Sequence, residues 1–208
     1  MSSAADASSP PRRRLTPRGK ERRDRLLAYA TEQFAANGFH PTSVADIVDG
    51  VGVGKGVFYW YFPSKDELLL EILREALYDL RRTQQSAIVE TDDPLQRLEN
   101  GIRSSLAWIF EHADIVRLIS FAWTEETFAV ALRRGREVTI ADTARHLTAA
   151  MSQGLIPDAD VHMLATAIRG VTDELGRQYL IDADQLDDEV VDTAVRMCLY
   201  GVAGVAAH

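Results

Sequence analysis

Apolar residues repeat every three or four positions along most of the chain, which is the spacing that places them on one face of an α-helix. The first group is Leu26, Leu27, Ala30 and Phe34, and later groups begin near Leu69, Leu95, Val161 and Val191. No stretch alternates apolar and polar residues as a half-buried strand would. The pattern therefore predicts an all-α fold, with a small N-terminal helical head on a larger helical body.

Start and stop signals divide the N-terminal region into three short helices. Thr16-Pro17 supplies a cap and a first-turn proline, and Asn37-Gly38 supplies a stop. Thr42 or Ser43 caps a second helix, and Ser43 has capping-box spacing to Asp46. The glycines between 50 and 54 end that helix after about two turns. A short aromatic helix follows from residue 55 to residue 62, and Pro63-Ser64 begins the next.

These signals give three regions. Residues 1–15 are rich in Ser, Ala, Pro and Arg without periodicity and are predicted to be a disordered basic arm. Residues 16–63 form a helix-turn-helix domain, and residues 64–208 form the larger helical body. The arm has two readings, a segment that contacts DNA or a solvated tail, because both have this composition.

The short aromatic helix carries the chemistry of the head. Tyr59, Trp60 and Tyr61 are consecutive, so about 100° separates each from the next and they cannot all face one core. Their polar atoms and ring edges suit phosphates, base edges and thymine methyls. Gly54 and Gly56 allow a close backbone approach to a duplex, and Lys55 adds a positive charge. Phe58 and Phe62, four residues apart, are interpreted as core anchors.

The segment TSVADIVDGVGVGKGVFYWYFPSKDELLLEIL, with FAANGFHPTSVADI overlapping its start, resembles the DNA-binding signature of the tetracycline-repressor (TetR) family of bacterial transcription regulators. The resemblance covers about Arg23 to Leu73, while the body agrees only in its helical layout. It implies DNA contacts at Thr42, Ser43, Lys55, Gly56, Val57, Tyr59, Trp60, Tyr61 and Lys65, with Tyr59 and Lys65 gripping phosphates. Gly54 stands where the family commonly has a capping serine, and Trp60-Tyr61 stand where smaller polar residues or histidine are common.

Charge adds an asymmetry to this picture. The net charge is −8, yet residues 1–25 hold eight basic and three acidic residues, a net +5, so the remainder carries −13. A basic end on an acidic body is expected when one end meets a polyanion and the rest avoids it. A solvated basic leader would have the same composition.

The body is expected to form a homodimer and to enclose a small-molecule effector. The resemblance implies that the last two helices form the dimer interface, because a two-fold dimer presents two recognition helices to double-stranded DNA. Small residues that would permit close approach there are Ala194, Cys198, Gly201, Ala167 and Gly170. The alternative is that they pack inside one subunit.

The effector pocket is also implied by the resemblance, with an apolar or aromatic effector of unknown identity. Its candidate lining residues are Trp108, His112, Phe121, Trp123, Phe128 and Met163. Each is more simply interpreted as an ordinary core residue, because aromatic side chains dominate protein cores. Helix Ser64–Leu80 is the expected lever between the pocket and the head.

Several other classes of protein are disfavoured. A lone Cys198 cannot form an internal disulfide, no apolar run approaches a membrane span, and no signal peptide is recognisable, so a cytoplasmic location is expected. The glycine pattern fails both nucleotide-binding motifs, and the histidines lack metal-ligand spacing. We therefore expect no metal, no cofactor and no catalytic residues. A regulator, most simply a repressor, is favoured over an all-α enzyme or ligand carrier.

Overall fold

In a computed structural model, which describes residues 15–89 and 91–204, the described chain forms α-helices and no strands. The helices are α1 (Pro17–Asn37), α2 (Val44–Val51), α3 (Lys55–Tyr61), α4 (Lys65–Ile88), α5 (Pro94–Glu111), α6 (Ala113–Ala122), α7 (Glu126–Ser152), α8 (Val161–Tyr179) and α9 (Asp188–Gly204). The predicted all-α class is thus confirmed. Except for Leu15, the predicted basic arm lies outside the described residues.

The helix ends follow the capping signals of the sequence. The Thr16 hydroxyl accepts from the amide of Gly19 at 3.2 Å. The Ser43 hydroxyl accepts from the Asp46 amide at 3.2 Å, while the Ser43 amide donates to Asp46 Oδ2 at 2.7 Å, which completes the expected capping box. Gly52 ends α2 with a φ of 73°, a left-handed conformation that glycine adopts without steric cost.

The head is built around buried side chains from its first four helices. The largest fully buried ones are Phe34, Phe58, Leu26 and Ile47, joined by Leu68 and Leu69 from the start of α4. The same cluster continues into the body through Leu118 and Ala122 of α6 and Phe128 and Leu132 of α7. The head and the body therefore share one apolar surface, and it does not stop at residue 63.

Arg23 fastens α1 to α4. Its guanidinium lies 2.6 Å from Glu71 Oε1 and 2.8 Å from Glu75 Oε1, and it sits over the ring of Phe62. The side chain of Arg23 is only 19% exposed. Part of the basic charge that the sequence assigns to the N-terminal end is therefore turned inward.

The body packs around a second apolar cluster. It draws on α5, α7, α8 and α9, and its fully buried members include Leu106, Leu147 and Leu180. None of the described helices combines the length and the apolar character required to cross a bilayer.

Gly176 of α8 packs closely against α5, and its substitution tests this packing. A Cβ on Gly176 would lie 2.6 Å from Ile109 Cδ1. Gly176→Ala should therefore lower the free energy of unfolding by about 1–2 kcal/mol, because the cost of overpacking exceeds the gain in helix propensity. In the control Gly101→Ala, the Cβ would meet no atom within 4 Å, and stability should rise by up to about 1 kcal/mol. The midpoints of urea unfolding, compared at an unchanged m-value, measure the stability of both variants. Equal midpoints for Gly176→Ala and Gly101→Ala would contradict the tight contact at Gly176.

Candidate functional site

The surface of the head displays two large aromatic side chains side by side. Phe58 in the middle of α3 and Phe62 at its C-cap are buried, at 0% and 3% exposure, and anchor the helix in the core. Tyr59 and Trp60 are 54% and 56% exposed. Because the two anchors fix the rotation of a single short helix, the residues between them must point outward. The expectation that at least one of the three consecutive aromatics faces solvent is met twice.

Tyr61 has a different position from its two neighbours. It is half-buried, and its ring packs edge-on against Trp60 with centroids 4.6 Å apart. Its hydroxyl would lie 3.6 Å from a Cβ on Gly19, so it rests against the first turn of α1. Tyr61 therefore braces Trp60 and links the end of α3 to the beginning of α1.

The start of α3 is open. Gly54, Lys55 and Gly56 are exposed, and no atom beyond the immediate chain lies within 4 Å of a Cβ built on either glycine. Gly54 is the N-cap of α3 and supplies no side-chain hydrogen bond to it. Val57 is half-buried behind them. A flat partner can therefore approach the backbone here without displacing any side chain.

Thr42 does not belong to this open surface. It is 4% exposed, and its hydroxyl donates to the carbonyl of Gly38 at 2.8 Å. The expected DNA contact at Thr42 is corrected accordingly, because the hydroxyl proton already holds the turn after α1. Ser43 remains exposed at the N-terminus of α2.

Lys65 also has another role than the phosphate contact that the resemblance implied. Its ammonium donates to the carbonyls of Phe39 at 2.7 Å, His40 at 3.2 Å and Thr42 at 2.8 Å. An ammonium has three donors, so all of them are used. Burial lowers the pKa of Lys65 below its usual value, and the ring of Phe39 lies 4.4 Å away. Lys65 therefore supports the turn instead of projecting from it.

A cavity of about 560 Å³ lies in the body between α4, α5, α6, α7 and α8. Ligand pockets of drug-sized molecules have this volume. One wall is apolar and comes mainly from α5 and α6: Leu98, Ile102, Trp108, Ile109, Val116, Ile119 and Trp123. The polar wall comes mainly from α7 and α8: Arg136, Thr139, Asp142, Thr143 and His146 of α7, and Arg169, Thr172, Asp173, Glu174 and Arg177 of α8.

Two of the six candidate ligand residues line this cavity, namely Trp108 and Trp123. The other four are corrected. Phe121 and Phe128 pack against Phe39, with centroids 5.7 and 5.4 Å apart, where the head meets the body. His112 stacks on Trp108 outside the cavity, beside a shallower groove between α1 and α4. Met163 is 68% exposed on the surface of α8.

The charged residues of the cavity could not be identified from the sequence. Five arginines line it: Arg81, Arg97, Arg136, Arg169 and Arg177. They come from four helices spread over almost a hundred residues, so no local motif joins them. The effector was expected to be apolar or aromatic, and only one wall fits that expectation.

Ionisable neighbours in the cavity influence one another. Arg81 pairs with Asp142 at 2.7 Å, and Arg169 lies 3.1 Å from Asp173. Burial lowers the pKa of His146, helped by nearby Arg97 and Arg145, so this imidazole stays neutral at pH 7. Among the described residues, no group of three histidine, cysteine or acidic side chains is arranged to hold a metal ion.

The small residues proposed for the dimer interface divide into two sets. Ala194 and Cys198 are buried inside the subunit, at 0% and 4% exposure, which corrects their assignment to the interface. Burial also raises the pKa of the Cys198 thiol to about 11, so it stays protonated and unreactive. Ala167, Gly170 and Gly201 remain on the surface.

Large apolar side chains accompany these three on α8 and α9. Met163 is 68% exposed, Met197 57% and Tyr200 73%. Surface residues of this size and number, side by side on two helices, are typical of a protein–protein contact.

Comparison with known proteins gives these features a context. Residues 26–72 match the family described as bacterial regulatory proteins, tetR family. The chain is 23% identical over 193 residues to the uncharacterised HTH-type transcriptional regulator YdgC of Bacillus subtilis, which covers 90% of this chain and 96% of YdgC. It is 36% identical over 104 residues to the HTH-type transcriptional repressor KstR2 of Mycobacterium tuberculosis. That aligned region covers 50% of this chain and 52% of KstR2, so the match spans about half the length of that relative.

The fold agrees over nearly the whole chain. A crystal structure of a TetR-like transcriptional regulator from Rhodococcus sp. RHA1 superposes with a TM-score of 0.76 at 21% identity, covering 92% of this chain and all of the other. The resemblance to the tetracycline-repressor family is confirmed. Because these relatives are named as transcriptional regulators, a regulator instead of an enzyme is confirmed as well.

The exposed face of α3 can be tested by substitution. Tyr59→Ala should weaken binding to a duplex selected from a random pool by about 1–3 kcal/mol, and Lys55→Ala should weaken binding evenly and reduce the salt slope by about one. The control is Tyr78→Ala, another exposed tyrosine, 72% exposed on α4, which should bind as the wild type does. Fluorescence anisotropy at several salt concentrations measures the affinity of all three variants. If Tyr59→Ala and Lys55→Ala each bind with wild-type affinity, the exposed face of α3 is not the DNA-binding surface.

Proposed function

We propose that this chain, a helix-turn-helix transcriptional regulator of the tetR family, acts as a repressor that binds a palindromic operator as a homodimer and leaves it when a small molecule enters the body. The observation that carries the proposal is the pair Tyr59 and Trp60, held outward on α3 by two buried phenylalanines, in the same chain as a cavity of about 560 Å³. A rigid reading surface and a separate ligand site are what such a switch requires.

The proposed mode of DNA binding puts α3 in the major groove and α2 across the backbone. We assign contacts to Ser43, Gly54, Lys55, Gly56, Val57, Tyr59, Trp60 and Tyr61, which all reach the open side of the head in whole or in part. Thr42 and Lys65 act indirectly, since they hold the turn that precedes α2. The phenol of Tyr59 and the indole of Trp60 would supply hydrogen bonds and apolar contacts to the groove.

The proposed dimer uses the exposed face of α8 and α9. Gly170 and Gly201 have open space around their Cβ positions, so a partner helix can approach the backbone closely. Met197 and Tyr200 would lose their exposure to solvent in such a contact. A two-fold dimer reads two half-sites about 34–36 Å apart, which one head alone cannot span.

The route from cavity to head runs through α6 as well as α4. Val116 and Ile119 of α6 line the cavity, while Leu118 and Ala122 of the same helix are buried in the core of the head. Phe121 contacts Phe39 in the turn that Lys65 supports. A molecule that displaces α6 must therefore also disturb the contacts between α6 and the head. By linkage, it weakens operator binding by the difference in its affinity for the two conformations.

Repression is the proposed direction because KstR2, which the chain matches over 104 residues, is named a repressor. A reporter gene placed behind the selected duplex should be silenced when the chain is produced. Increased transcription would assign activation instead.

The dimer and operator parts are tested together. Gly201→Arg puts a long charged side chain on the proposed interface and should give monomers in sedimentation, with binding to a two-half-site duplex weakened about 100-fold or more. The control Ala141→Arg, at an exposed position of α7, should remain a dimer. A dimeric Gly201→Arg would exclude this interface, and selected duplexes without an inverted repeat would exclude the palindromic operator.

A further inference from the structure

Arg136 differs from the other arginines of the cavity. Its side chain is partly buried on α7 and reaches the cavity wall. Within the described residues, no carboxylate lies within 4 Å of its guanidinium and no hydrogen bond engages it. Arg81 pairs with Asp142, Arg97 with Asp92, Arg169 with Asp173 and Arg177 with Glu174.

The charge balance of the lining is positive. Five arginines face three carboxylates there, those of Asp142, Asp173 and Glu174. Asp142 is shared, because Arg145 also pairs with it from outside the lining. His146 adds no positive charge at pH 7, since burial and neighbouring arginines lower its pKa. The excess charge of the lining is therefore carried by arginines.

Arg169 adds to the donor capacity beside Arg136. Its buried Nε lies 3.1 Å from Asp173 Oδ2, but within the described part of the chain the geometry is not that of a hydrogen bond. The Asp173 side chain is 53% exposed, and both Arg169 and Arg136 act electrostatically on its carboxylate, so all three groups are close enough to interact. The polar wall thus holds a guanidinium without a counter-ion beside a second one whose donors are not fully used.

The part of the lining from α5 and α6 is mainly apolar, and its polar members Arg97, Ser105 and Ser120 already have hydrogen-bond partners. Its apolar members include Leu98, Ile102 and Ile109 of α5 and Val116 and Ile119 of α6. A molecule that fills the cavity must therefore be apolar along one side and must satisfy a cation on the other. A neutral apolar molecule would leave the partly buried guanidinium unpaired, which is unfavourable.

We propose that the effector is an amphipathic carboxylic acid, whose carboxylate binds Arg136 and whose apolar chain lies along the wall formed by α5 and α6. This inference rests on the proposed function, since it names the chemical class of the effector. A carboxylate matches the planar fork of a guanidinium through two parallel hydrogen bonds. The apolar chain then contacts α6, the helix whose other side is buried in the head.

The test compares three probes with the same twelve-carbon chain: dodecanoate, dodecan-1-ol and dodecyltrimethylammonium. Trp108 and Trp123 line the cavity and report binding by fluorescence, measured in a Trp60→Phe background that removes the tryptophan of α3. Dodecanoate should bind at least about tenfold more tightly than the alcohol and the cation, as expected for a hydrogen-bonded charge. Equal affinities for the three probes would overturn the proposal.

Variants at one position assign the effect to Arg136. Arg136→Met removes the charge at similar length and should abolish the preference for dodecanoate over dodecan-1-ol. Arg136→Lys keeps the charge but not the planar fork and should retain only part of that preference. The matched control Arg134→Met removes an exposed arginine two residues away on α7 and should leave the preference intact. A full preference in Arg136→Met, or its loss in Arg134→Met, would contradict the assignment.

A DNA-binding measurement separates this proposal from the proposed function. Dodecanoate should release the wild-type chain from the selected duplex at concentrations that saturate the fluorescence change, while dodecan-1-ol should not. If the chain selects a palindromic duplex but binds all three probes equally, the effector class is wrong and the regulator stands. If dodecanoate binds with the expected preference but no duplex is selected, the cavity assignment stands and the operator does not.

Discussion

The exposed face of α3, which is the proposed DNA-binding surface, depends on the burial of Phe58 and Phe62. Helix α3 has seven residues, too few to be stable alone, so its existence and rotation depend on packing against the head. With both phenylalanines in the core, Tyr59 and Trp60 have no alternative to solvent. The two buried phenylalanines thus force two large aromatic side chains into solvent. The proposed contact with DNA would remove these side chains from solvent again.

The core that holds α3 is also the core that joins head and body. Phe39, in the turn after α1, contacts Phe121 and Phe128 of the body. The ammonium of Lys65 holds the same turn by donating a hydrogen bond to the carbonyl of Phe39. The turn cannot move without disturbing these contacts, because packed interiors are not continuously deformable. The proposed coupling between the cavity beside α6 and the exposed face of α3 depends on these contacts.

Basic residues in this chain serve two purposes that composition cannot separate. Arg23 and Lys65 are used internally, one against two glutamates and the other against three carbonyls. Lys55 projects from the open start of α3. Arg136 is a third case, directed into a cavity without a counter-ion among the described residues, and there the charge becomes an argument about ligand chemistry.

The sequence alone determined what depends on neighbours a few residues apart. Thr16, Ser43 and Gly52 set helix ends through local hydrogen bonds and dihedral preferences, and three consecutive aromatics had to leave one exposed. Tertiary structure decided everything that depends on distant partners. Thr42 and Lys65 were assigned to the DNA-binding surface, Phe121 to the effector pocket and Cys198 to the dimer interface. All four are instead engaged or buried by residues that the fold brings to them. The arginines of the cavity meet across four helices, and only three-dimensional packing gives them a common site.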